Sequence, residues 1–204
     1  VNRPSGNIIR FSLKKIGLFN QQTGVGAGAG VLRDRAIQIN GIKFGASGAN
    51  NILLEEVNFF FLDNGIVLTG GNNGTTVRKC YFGLLYNQTD PVVNPVSDAL
   101  VTGHGNAIYV ESGSQIGLYL YDNQVNVQGY FLDSQTTALH NLVMTGNQIS
   151  DPSFYWSQMV RLYAFTNINI QGNLYLAPAG GTATIGFNLG TNAIGSSDIS
   201  ACCK

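Results

Sequence analysis

One phrase of alternating apolar residues recurs along this 204-residue chain, and it constrains the fold more than any other feature. It reads ILLEEVNF, TTVRKCYF, LYLYDNQV, LVMTGNQI and INIQGNLY. Aligned where the alternation breaks, one position holds Val57, Cys80, Asn123, Asn147 and Asn173, at spacings of 23, 43, 24 and 26 residues. Three residues earlier stand Leu54, Val77, Leu120, Met144 and Ile170; two later stand Phe59, Phe82, Val125, Ile149 and Tyr175. A shorter strand lies about a dozen residues ahead of each phrase: GIKF (41–44), GIVL (65–68), AIYV (107–110), GYFL (129–132) and MVRL (159–162). Both series make their one double-length step in the same place, so the unit is about two dozen residues long.

Period-two alternation with Gly and Asn between strands describes a solenoid of β-coils, and no 3.6-residue apolar stripe supports a helical repeat. Composition agrees, with 26 Gly and only 11% charged residues, which excludes a coiled coil, while 44% hydrophobic residues exclude disorder by charge. Strands at this spacing pair with their equivalents one coil away, in parallel and about 4.8 Å apart, and the coil is expected to wind right-handed. Asn123, Asn147 and Asn173 then stack at one turn, where an amide ladder and the tolerance of Asn for the left-handed region are useful.

The two strand series, the inward Ile, Leu and Val stacks and the Asn turn resemble the pectate-lyase-like right-handed parallel β-helix superfamily, over about residues 36–176. The resemblance implies an all-β, single-stranded right-handed parallel β-helix, and is nearly silent on activity. The family includes pectate lyases, polygalacturonases, alginate epimerases and the tailspikes and tail fibres of bacteriophages. Low charge with Gly, Asn, Ser and Thr richness looks most like the tailspike branch. That branch implies an extracellular or virion-surface homotrimer for host attachment, with cell-surface polysaccharide as partner. The Asp clusters of lyases and polygalacturonases are missing, so their chemistry is not carried onto any residue.

Formal net charge is zero, which removes the electrostatic footprint for nucleic acid or an anionic membrane and favours a neutral partner. No apolar run of about 18 residues predicts membrane insertion. Cys80, Cys202 and Cys203 form neither an even disulfide framework nor a metal-ligand spacing, so no metal and no cofactor is expected.

Outward positions carry the candidate chemistry. In the second series Glu55 falls beside Arg78, and Glu56, Lys79 and Asp122 alternate in sign, which reads as a surface charge ladder. In the first series, aligning Tyr130 of GYFL over Ile108 puts Glu111 and Asp133 on neighbouring coils. A carboxyl pair about 5–5.5 Å apart is what a retaining glycosidase uses, so these are the candidate catalytic residues. In the same register Tyr109, Phe131 and Arg161 form an outward column of sugar-stacking rings and a cation. Trp156, in the aromatic loop SDPSFYWSQ (150–158), joins them as a carbohydrate-binding candidate.

Three segments follow: a capping or linker stretch over 1–35, the β-helix over 36–176 with an inserted loop at about 83–106, and a Gly- and Ser-rich segment over 177–204. Both ends are read as lying outside the repeat. The leading function is recognition of surface polysaccharide, with hydrolysis by a glycoside hydrolase mechanism if the chain is an enzyme. The alternative is a non-catalytic structural or adhesive component that uses the solenoid as a rigid spacer.

Overall fold

A computed structural model describes residues 10–19, 40–45, 49–60, 62, 64–85, 105–127, 129–150, 160–176, 187–189 and 200–202. Among these there are seventeen strands and no helix. Every strand pairing is parallel, each strand lying against its equivalent from the next repeat, as a β-solenoid requires.

Strands fall into three series. The first contains β3 (Asn40–Phe44), β6 (Asn64–Leu68), β9 (Asn106–Val110), the starts of β12 (Leu132–Thr145) and β14 (Val160–Gln171), and β16 (Phe187–Leu189). The second contains β1 (Phe11–Lys14), β4 (Asn50–Glu55), β7 (Asn73–Arg78), β10 (Gln115–Tyr121), the remainders of β12 and β14, and β17 (Ser200–Cys202). The third contains β2 (Gly17–Phe19), β5 (Asn58–Phe60), β8 (Tyr81–Leu85), β11 (Gln124–Val127), β13 (Gln148–Ser150) and β15 (Leu174–Leu176). The sequence phrase had merged the second and third series, because only one turn residue and one ladder residue separate them.

Within the phrase the register is as expected. Leu54, Val77, Leu120, Met144 and Ile170 pair in succession and are all buried. On the third series, Phe59 and Phe82 are level with each other and stack with centroids 4.8 Å apart and planes 2° from parallel. These rings need room on the facing wall, which Gly41, Gly65 and Ala107 provide; a Cβ on Gly65 would stand 2.6 Å from the Phe82 ring.

The amide ladder forms at the expected turn. Asn123 Nδ2 donates to Asn147 Oδ1 at 2.8 Å, and Asn147 Nδ2 donates to Asn173 Oδ1 at 2.7 Å. Each Nδ2 also donates to a carbonyl of the preceding coil, that of Val77, Leu120 or Met144. The left-handed backbone, however, belongs to the residue before each ladder position: Lys15, Glu56, Lys79, Asp122, Gly146 and Gly172 all have positive φ. A second ladder, of Asn40, Asn64 and Asn106, opens the first series.

Pairing also continues into both end segments. β1 and β2 pair with β4 and β5, and β16 and β17 pair with β14, so the repeat is longer than the 36–176 read from the sequence. Of the inserted stretch, 83–85 belong to β8 and 106 opens β9; residues 86–104 lie outside the described residues.

Candidate functional site

The outward column of the first series begins Lys43, Val67, Tyr109, Asp133 and Arg161, each level with the next. This corrects the alignment of GYFL. Leu132, not Tyr130, stands over Ile108, a slip of two residues. Asp133 is therefore level with Tyr109 and Arg161 rather than beside Glu111. The physical reason lies inside the coil. Val125 is too small to continue the Phe59–Phe82 stack, and the Phe131 ring, fully buried, comes within 6.4 Å of Phe82 from the opposite wall. Phe131 is thus a core residue and not an outward ring.

Each candidate carboxylate has its own cation. Arg161 donates from Nε to Asp133 Oδ1 at 2.9 Å and from Nη2 to Oδ2 at 2.8 Å, and Asp133 is fully buried. The same guanidinium sits over the Tyr130 ring at 4.3 Å. Burial opposes the charge on Arg161, but the hydrogen bonds and charge of Asp133 outweigh it and its pKa is raised. Glu111 Oε2 meets Lys43 Nζ at 2.6 Å, across the intervening coil, and accepts a hydrogen bond from Thr69 Oγ1 at 3.2 Å. Tyr109, 8% exposed, has its hydroxyl pKa pushed up by burial first and by Asp133 and Glu111 after that.

The structure therefore gathers Tyr109, Asp133 and Arg161 on one column, with Glu111 nearby, and separates Phe131 from them; Trp156 lies outside the described residues. Asp133 is fully buried with both oxygens paired to Arg161, so its carboxyl is not open to solvent in this arrangement. No three His, Cys, Asp or Glu side chains converge as metal ligands among the described residues. The Cys80 thiol is raised to about 11 by burial, which removes it as a nucleophile.

The charge ladder of the second series is present and one coil longer than expected. Glu55 lies 2.7 Å from Arg78 and 2.9 Å from Lys14. Beyond it the outer surface loses charge. From Gln115 onward, the second and third series carry rings, amides, hydroxyls and the aliphatic side chains of Ile116, Val143 and Leu174, and Asp122 at the turn is the one charged side chain among their described residues. Two shallow grooves cross this neutral surface. One, on the second series, is bordered by Tyr119, Asn141, Val143, Asn167 and Asn169. The other, on the third series, is bordered by Tyr81, Gln124, Asn126, Gln148 and Ser150. Sequence reasoning missed both, although Gln124 and Gln148 recur at one repeat position and sit beside the ladder asparagines.

No family model matches the chain, and neither does any curated protein or solved structure.

Proposed function

We propose that the chain is a tailspike-like, right-handed parallel β-helix that recognises an uncharged surface polysaccharide outside the cell and does not cut it. The observation that carries this reading is the neutral surface of the second and third series. Aromatic rings can cover the C–H faces of sugars, while Asn and Gln amides donate to and accept from hydroxyls. A charged ligand finds little to pair with there. Hydrolysis is disfavoured because Asp133 and Glu111 are already engaged by Arg161 and Lys43. Trimeric assembly at a virion surface belongs to the same reading and is tested by sedimentation, where a stable monomer would remove it.

The deciding experiment is electrophoresis through gels containing neutral or acidic polysaccharides, followed by an assay for new reducing ends. Retardation by a neutral polymer without chain cleavage is expected. Cleavage lost in Glu111→Gln would restore the glycosidase reading, and no retardation by any polymer would leave the rigid spacer.

A further inference from the structure

The outer face of the third series differs from the rest of the solenoid in how it is ordered along the stacking direction. Aromatic rings come first. Phe60 and Tyr81 lie on adjacent strands with centroids 5.1 Å apart, and the lack of a side chain at Gly83 gives them space, since a Cβ there would meet both rings. Amides follow: Tyr81 is level with Gln124, and Gln124 with Gln148. Beside them Asn126 is level with Ser150. Asn126 Oδ1 is buried in the groove wall with no hydrogen-bond partner among the described residues, an arrangement that is unfavourable unless something donates to it. Gln124 and Gln148, both exposed, flank it.

What could occupy this face follows from its chemistry. Nucleic acid is disfavoured, because no cation lies among its described outward residues. A peptide added as a strand needs a free sheet edge, and β5, β8, β11 and β13 each have neighbours on both sides. A polymer of sugar rings fits. Its hydroxyls are donors for Asn126 Oδ1 and partners for both glutamines, and its apolar ring faces suit Phe60 and Tyr81. Successive strands are about 4.8 Å apart, close to the advance of one pyranose in an extended chain, so ring and amide positions repeat in step with the sugars.

We propose that the third strand series is the glycan track of this protein, holding an uncharged polysaccharide along the solenoid axis at about one sugar per coil over β5 to β13. The proposal rests on the glycan-recognition reading and adds the site, the direction and the length of the bound segment. Ser150, whose hydroxyl donates to the Val125 carbonyl at 3.2 Å, forms one wall of the track rather than a sugar partner.

The test uses the full chain in gels containing dextran, galactomannan or polygalacturonate, comparing the parent with Tyr81→Ala, Gln124→Ala combined with Gln148→Ala, on the second series Tyr119→Ala, and Lys14→Ala of the charge ladder as control. Gln124 and Gln148 are exposed, so their combined variant folds even if Tyr81→Ala does not; melting curves check each one. Expected is retardation of the parent by a neutral polymer only, weakened about tenfold or more in the Tyr81 variant and in the combined glutamine variant and by less in Tyr119→Ala, with the charge-ladder variant Lys14→Ala unchanged. With the oligosaccharides of the retarding polymer, affinity should rise with length up to about four sugars and then level off. Unweakened binding in the third-series variants, or loss in Tyr119→Ala alone, overturns the track while leaving glycan recognition intact. A parent retarded by no polymer overturns the recognition reading and the track with it.

Discussion

Arg161 holds both carboxylate oxygens of Asp133 from one coil away, so among the described residues the buried charge on one strand is neutralised by the strand stacked upon it. Removing one partner strands the other. Asp133→Ala is expected to cost about 3–5 kcal/mol, while Asp133→Leu combined with Arg161→Met recovers most of that loss because an apolar pair replaces a desolvated ionic one. Urea unfolding of the single and double variants measures the difference. Additive losses would show that the two side chains do not act as a pair.

Leu120 sits at the centre of the inward column, fully buried between Val77 and Met144. Its neighbours are fixed by backbone pairing and cannot collapse into a void. Leu120→Ala should therefore destabilise by about 2–5 kcal/mol, and Leu120→Asp by more, since its charge has no partner there. Retained thermal stability in the Asp variant would contradict the stacking.

Asn147 accepts from both the backbone N–H and the Nδ2 of Asn123. Asn147→Ala leaves those donors buried and unpaired, at a cost of about 1–3 kcal/mol for each group left unsatisfied. Hydrogen exchange at the Asn123 amide, slow in the parent, should quicken selectively in the variant.

Lys79 is held at φ 52° in a column whose last two members are Gly146 and Gly172. A left-handed backbone costs an L-residue about 1–2 kcal/mol, and glycine's extra unfolded-state entropy offsets about 0.5–1 kcal/mol of the relief. Lys79→Gly should thus raise stability slightly, by about 0.5 kcal/mol. A fall in the melting temperature would mean that the lysine side chain contributes something its exposed position does not suggest.

The Glu55 carboxyl is held below its ordinary value of 4.5, first by the hydrogen bond from Lys14 and then, against some desolvation, by the charges of Arg78 and Lys14. Its folded pKa is lower than its unfolded one, so its contribution is present above about pH 4.5 and fades as pH falls through the folded value. Glu55→Gln should narrow the stability gap between neutral and acid solution. An unchanged acid limb in the melting curves would show that this surface ladder is silent.

Much of the core was legible because parallel stacking repeats one residue choice per coil, and Leu54, Val77 and Leu120 announce their position by spacing alone. The outer first series was not legible in the same way. Its register between Ile108 and Leu132 is decided by the volume left above Val125, which Phe131 fills, and volume leaves no periodic mark in a sequence. The separation of second from third series was hidden for a different reason. The left-handed turn accepts Lys, Glu, Asp or Gly with little distinction, so the corner carries no fixed residue to read. Of the candidate site, Tyr109 and Arg161 stand on one outward column as the spacing predicts, but Asp133 takes the place read for Phe131, and its ion pair with Arg161 depends on a register that spacing alone did not supply.

Asn106 reaches back to Asn64 across 42 positions of sequence with the same amide contact that Asn64 makes to Asn40 across 24. The solenoid thus counts turns rather than residues. Pairing resumes in register after a step of 42 residues as it does after one of 24, so what the frame holds constant from one repeat to the next is the amide contact and not the length of chain between its partners.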